Sequence, residues 1–101
     1  MATKVIFEGK TAGETQKLRF NYISDLAVGE TVVSASVVAT IYSGTDPTPA
    51  AIINGSASIT TPEVTQGVIA GVLGVTYLLT CTALTSAGQT LQQQGFLVII
   101  P

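Results

Sequence analysis

Apolar and polar side chains alternate with a period of two in three runs, and this pattern most constrains the fold. Successive side chains of a β-strand point to opposite faces, so such runs predict half-buried strands. Within residues 17–22 one side is Leu18, Phe20 and Tyr22 and the other is Lys17, Arg19 and Asn21. The other two apolar rows are Val33, Ala35, Val37, Ala39 and Ile41, and Val75, Tyr77, Leu79, Cys81 and Ala83. No segment has the 3.6-residue period of an ordinary helix.

Turn-forming residues separate these runs. The loop signals lie at residues 11–14, 25–30, 43–49, 71–74 and 86–88. Asn54-Gly55 predicts a two-residue hairpin turn between two short strands. Leu91 and Phe96 have opposite parity, so a bulge around residues 92–95 is predicted to restore the register of the last strand. About seven or eight short antiparallel strands favour an all-β sandwich or a small barrel.

The chain of 101 residues has the length of one domain. We expect residues 1–101 to form a single Ig-like β-sandwich, with residues 1–15 as an N-terminal arm or edge strand. All four cationic residues lie within the first 19 positions, and residues 64–101 contain no charged side chain. Charge normally blocks edge-to-edge strand pairing and keeps β-rich surfaces soluble. Core burial of the row from Val75 to Ala83 accounts for part of this segment. Its polar side is the part that neighbouring subunits are expected to cover: Thr76, Thr80, Thr82, Gln89, Gln92, Gln93 and Gln94.

The composition argues against most enzymatic and cofactor-binding functions. The chain has no histidine, which excludes Ser-His-Asp, Cys-His and His-metal arrangements. Cys81 lies on an apolar row and is interpreted as a buried structural thiol, and the six carboxylates are scattered. No phosphate-binding glycine motif occurs, so no catalytic residue, metal or cofactor is predicted. A net charge of −2 argues against nucleic-acid binding, and neither a membrane span nor a signal peptide is expected.

The segment GVTYLLTCTALTSAGQ at residues 74–89 resembles the F–G hairpin of immunoglobulin-like and fibronectin type III domains. That resemblance implies a tyrosine corner at Tyr77, whose hydroxyl would bond to backbone near the start of the strand. The chain departs from the antibody pattern because it has no Trp and Cys81 has no partner. Tyr77 also precedes Cys81 by four residues rather than two, so the disulfide-free, fibronectin-like variety is the better match.

A second resemblance rests on DLAVGETV at 25–32, YSGTDP at 42–47, VTQ at 64–66 and GVLGVTY at 71–77. Together, over most of residues 16–101, these segments resemble small tailed-phage virion proteins with Ig-like folds. The resemblance implies a non-enzymatic virion protein that is assembled in the host cytoplasm. We favour a capsid decoration (cement) protein, present in multiple symmetric copies on the major capsid protein or other virion subunits. The alternatives are a neck or tail accessory protein, and a stand-alone fibronectin-like module that binds carbohydrate or a cell surface.

Two groups of residues are predicted to contact partners. The first is the set of cations Lys4, Lys10, Lys17 and Arg19, which either dock onto an acidic surface or protect an edge strand. The second is the loop with Asp46, Pro47 and Pro49. Two prolines lower the entropy lost on docking, so this loop is either a contact element or a rigid spacer.

Overall fold

The computed structural model describes residues 2–7 and 9–101, and the side chains of residues 7 and 9–101. Strands account for most of this part of the chain. They are β1 (Ala2–Ile6), β2 (Lys10–Thr11), β3 (Gln16–Asn21), β4 (Val32–Ser43), β5 (Ile53–Thr60), β6 (Glu63–Val68), β7 (Thr76–Thr85) and β8 (Thr90–Ile100). A short 3-10 helix, Pro49–Ile52, precedes β5.

Two sheets pack face to face, as the sequence predicts. One has the order β1-β8-β7-β4, with β2 also paired to β8, and the other has the order β3-β6-β5. Because β1 and β2 follow each other along β8, the sandwich has seven strand positions. The prediction of purely antiparallel strands is corrected, since β1 and β2 run parallel to β8.

The core lies between the inner faces of the two sheets. The predicted rows of β3 and β7 both point inward, and the thiol of Cys81 is buried among them. Burial raises the pKa of Cys81, which keeps it a neutral thiol. The main buried side chains are Leu18, Phe20, Tyr22, Val64, Val68, Tyr77, Leu79, Cys81, Ala83, Leu97 and Ile99.

The predicted inner row of β4 is wrong at its first member. The pairing of β4 with β7 shifts register between Val32 and Ser34. Val32 is therefore buried, whereas Val33 is 55% exposed. The hydroxyl of Thr61, in the turn after β5, accepts a hydrogen bond from the Val32 amide at 3.2 Å. This contact from the turn fixes the inward position of Val32.

Two further predictions fail in the second half of the chain. Asn54 and Gly55 form no hairpin turn, because both lie within β5 at an irregularity in its pairing with β6. No bulge interrupts β8 either: its pairing with β7 is continuous from Thr90 to Val98. Phe96 instead lies on the outer face. Gln93, expected outside, is buried and its amide donates to Asn21 O at 2.5 Å.

Candidate partner-binding surfaces

The outer face of the β3-β6-β5 sheet contains a concave site with two cations. We call it the cationic depression. Its volume is about 400 Å³, and it is lined by Thr15, Lys17, Arg19, Asn54, Ser56, Ser58, Thr65 and Gly67. Every other lining residue is glycine or neutral and polar, so the depression offers positive charge and hydrogen-bonding groups but no large apolar surface.

A bulge in β5 shapes the floor of the depression. Asn54 pairs with Gly67, and Ser58 pairs with Thr65. The chain therefore advances four residues along β5 for every two along β6 in this stretch. Gly55 has a positive φ of 77°, which glycine adopts without strain. A Cβ at Gly67 would lie 3.0 Å from Asn54 O, so this position on β6 also favours glycine. Because Gly67 has no side chain, the depression stays open over this part of β6.

The side chain of Gln66 fixes the bulge from inside the sandwich. Gln66 is buried, and its Nε2 donates to Gly55 O at 3.0 Å and to Gly67 O at 2.9 Å. A buried amide with satisfied hydrogen bonds is costly to displace. The depression is therefore held in shape from the core side.

On the neighbouring strand β6, no acidic residue lies opposite Lys17 or Arg19. Both are exposed, and their cross-strand neighbours on β6 are Gly67 and Thr65. The carboxylate of β6, Glu63, lies further along, opposite Asn21. The two cations thus face outward from a neutral stretch of sheet.

The structure removes Lys10 from the predicted set of surface cations. Its side chain is buried, and its Nζ donates to Thr11 O and Ala70 O, both at 2.6 Å. Burial lowers the pKa of Lys10, an effect that the nearby Glu14 carboxylate partly offsets. Lys10 therefore joins β2 to the loop after β6 and offers no charge to a partner. The side chain of Lys4 lies outside the described ones.

The outer face of the other sheet is chemically different. We call the outward side of β4, β7 and β8 the uncharged face. None of its described side chains is charged: Ser34, Ser36, Val38, Thr40, Tyr42, Thr76, Leu78, Thr80, Thr82, Leu84, Thr90, Gln92, Gln94, Phe96, Val98 and Ile100. Gln92 and Gln94 donate to the hydroxyls of Thr82 and Thr80 at 3.1 and 3.3 Å.

Apolar and aromatic groups are also exposed on the uncharged face. Val38 is 57% and Tyr42 63% exposed, and Leu84 is also exposed. The ring of Tyr42 packs edge-on against Phe96 with centroids 4.6 Å apart. This contact explains the parity of Phe96, which serves the outer surface rather than the core.

Tyr77 joins two loops at one end of the sandwich. Its hydroxyl accepts a hydrogen bond from the Val72 amide at 3.0 Å and donates one to Asp46 Oδ2 at 2.6 Å. The bond to Val72 is an upstream backbone contact of the kind expected for a tyrosine corner, and that assignment stays a prediction. Asp46 Oδ1 accepts from the Thr48 amide at 2.9 Å. These bonds favour the spacer interpretation for Asp46, and contact by Pro47 and Pro49 remains a prediction.

We expect Asp46 to make folding stability depend on acid. The hydrogen bond from Tyr77, followed by that from the Thr48 amide, lowers the pKa of Asp46. The unfolded chain then binds more protons in the window between the two pKa values, so stability falls as pH drops through the folded pKa. Asp46→Asn should reduce the loss of urea-unfolding stability between about pH 5 and pH 2. Tyr77→Phe should shift the profile in the same direction, and an unchanged slope in both variants would contradict this assignment.

The bulge and its supporting residues were missed by the sequence analysis. Asn54-Gly55 gave a stronger short-range signal for a hairpin than for a bulge. The sequence contained one hint. Gln66 lies on the inward side of β6, and a buried amide side chain needs hydrogen-bond partners on the backbone.

Neither a cluster of metal-ligand side chains nor a membrane-spanning helix occurs in the parts of the chain that the structure describes. Across residues 2–7 and 9–101, no three His, Cys, Asp or Glu side chains come together as metal ligands. Over the same residues, no helix has the length and apolar character to cross a bilayer.

The fold is a small β-sandwich whose two outer faces differ in chemistry. Residues 10–98 match the family model described as "Podophage GP4 fiber-tail adaptor protein gp77". The match covers most of the chain, which therefore belongs to this family and is a structural protein of the tailed-phage virion. Comparison with curated proteins gave no significant match.

The family match bears on two predictions. Capsid decoration is not supported, and the neck or tail alternative fits the family better. Of the two kinds of partner predicted, the family description supports other virion subunits. Nothing in it points to the major capsid protein.

Proposed function

We propose that this protein is a fibre–tail adaptor, a non-enzymatic virion component that attaches a tail fibre to the phage tail. The observation that supports it most directly is the family match over residues 10–98, which spans the sandwich from β2 to near the end of β8. We also propose an Ig-like fold, supported by the strand orders β3-β6-β5 and β4-β7-β8. Several copies would act together, as the symmetry of a virion requires.

The arrangement of the two outer faces supports this function. An adaptor has to bind two different partners at once without one blocking the other. The cationic depression and the uncharged face lie on opposite sides of the sandwich, so each is accessible when the other is covered. Their different chemistry lets each face discriminate between partners.

The uncharged face suits a permanent protein contact. Cores of protein interfaces are depleted in charge and enriched in aromatic residues. Thr and Gln side chains form hydrogen bonds without the desolvation cost of buried charge. We propose that this face binds a likewise uncharged surface of a neighbouring virion subunit, with Val38, Tyr42 and Leu78 among the contact residues.

Virions assembled without this chain test the proposal. We expect complete, DNA-filled heads that lack tail fibres, seen by electron microscopy and by quantitative mass spectrometry of purified particles. Supplying the purified chain should restore fibre attachment. Fibres retained on particles without the chain would overturn the proposal, and unstable heads with fibres in place would favour decoration instead.

A further inference from the structure

We propose that the cationic depression binds a carboxylate-bearing segment of a virion partner, with Lys17 and Arg19 as its charged contacts. This inference rests on the proposed adaptor function and specifies the chemistry of one of its two partner sites. The ligand class is an acidic stretch of polypeptide rather than a small molecule, because the site is open and shallow.

Charge complementarity gives the first argument. Lys17 and Arg19 lie two residues apart on the same side of β3, so their backbones are about 7 Å apart. Two like charges at this spacing repel each other, and their neighbours Gly67 and Thr65 neutralise neither. A carboxylate between them would remove this repulsion and gain charge-assisted hydrogen bonds. The guanidinium of Arg19 suits such a ligand because it binds carboxylates through two parallel bonds.

The neutral lining gives the second argument. The amide of Asn54 and the hydroxyls of Ser56, Ser58 and Thr65 surround the depression. These groups donate hydrogen bonds to carboxylate oxygens and add no charge. The bulge brings Asn54 and Ser56 into the lining, and the Gln66 amide fixes that bulge. The donors are therefore held in place before a ligand arrives, which lowers the cost of binding.

Edge protection alone accounts less well for the two cations. β3 lies at the edge of its sheet, where lysine often blocks strand pairing. Lys17 and Arg19, however, line one concavity together with Ser56 and Ser58, which lie two strands away across β6. Nucleic acid is also a poorer fit, because phosphate-backbone binding needs many cations and the chain carries a net charge of −2.

Titration of the full-length, isotope-labelled chain with a hexaglutamate peptide tests the site by NMR. At low salt we expect amide shifts confined to residues 15–19, 54–58 and 65–67, and none with hexaglutamine. Removing both charges in a Lys17→Gln, Arg19→Gln variant should weaken hexaglutamate binding by about tenfold or more. Raising the salt concentration to about 0.2 M should weaken it in the wild type.

A matched variant separates the local charges from net charge. Ala27→Glu with Ala87→Glu makes the same change in net charge at two exposed loop positions far from the start of β3. This control should bind hexaglutamate within about threefold of the wild type. Equal weakening of hexaglutamate binding in both double variants would contradict the proposal, as would amide shifts spread over the whole chain. Tighter binding of a thymidine oligonucleotide at the same residues would replace the acidic peptide with a phosphate backbone.

Failure of the acidic-segment inference can be distinguished from failure of the adaptor function. If fibres are missing from virions without the chain but hexaglutamate does not bind, only the acidic-segment inference fails. If hexaglutamate binds at the depression but fibres persist without the chain, the adaptor function fails and the site needs another partner. The Lys17→Glu, Arg19→Glu variant joins the two experiments: it should fold normally and yet fail to restore fibres.

Discussion

Replacing Leu79 by Ala is expected to lower the free energy of unfolding by about 3 kcal/mol. Leu79 is fully buried in β7, where it pairs with Ala39 on one side and Gly95 on the other. Neither small neighbour can fill the space that the lost side chain leaves. The substitution therefore costs both the transfer free energy of the removed atoms and a cavity. Urea unfolding measures the loss directly, and the melting temperature should fall by about 15 °C.

Leu78→Ala is the matched control for this prediction. Leu78 is adjacent on the same strand, but it is half-exposed and points to the uncharged face. Its truncation should cost about 1 kcal/mol or less, because little packed volume is lost on a surface. Equal losses for the two variants would contradict this distinction between the inner and outer faces of β7, and a larger loss for Leu78→Ala would mean that the two faces are assigned the wrong way round.

The strands that follow the period-two pattern throughout were predictable from the sequence. On β3 and β7 the alternation runs unbroken, and Leu18, Phe20, Tyr77 and Leu79 are buried as expected. On β4 the pattern gave the wrong first residue, because the inward position of Val32 depends on Thr61, in the turn between β5 and β6. A contact between residues 29 apart leaves no periodic trace in a local window.

The failures on β5 and β8 have the same physical origin. At Asn54-Gly55 the local turn preference is overruled by Gln66 and Gly67 of the paired strand. At Phe96 the break in parity suggested a bulge, whereas the ring packs outside the sheet against Tyr42, 54 residues earlier. In each case a tertiary partner decided which side a residue faces.

The candidate site was only half predictable. The outward parity of Lys17 and Arg19 follows from β3 alone, and both cations are exposed as predicted. Their concave surroundings depend on the β5 bulge, at a position where the sequence predicted a hairpin turn instead. Lys10 was misassigned because two residues of strand contain no pattern that distinguishes inside from outside. Charge-poor faces suit decoration and adaptor proteins equally, so composition did not separate those functions.

A lysine at position 38 is expected to abolish assembly while leaving the fold intact. Val38 is an exposed residue of the uncharged face, beside Thr80 on the neighbouring strand. In the free chain the new ammonium stays in water, so stability should change by no more than about 0.5 kcal/mol. If a virion subunit covers the face, the charge must be buried without a partner. Incorporation into virions should then fall about 100-fold or more, as counted by mass spectrometry of particles.

Val28→Lys provides the control, because it makes the same chemical change at a fully exposed loop position away from the uncharged face. That variant should enter virions at the wild-type level and attach fibres normally. Normal incorporation of Val38→Lys would show that the uncharged face stays in contact with water in the virion. A loss of stability in the free Val38→Lys chain would instead indicate a folding defect, and Val38→Thr would then test the face without introducing charge. Because both lysine variants share one net charge, a difference between them isolates the position of the charge. The position of the charge affects incorporation only if a virion subunit covers the uncharged face.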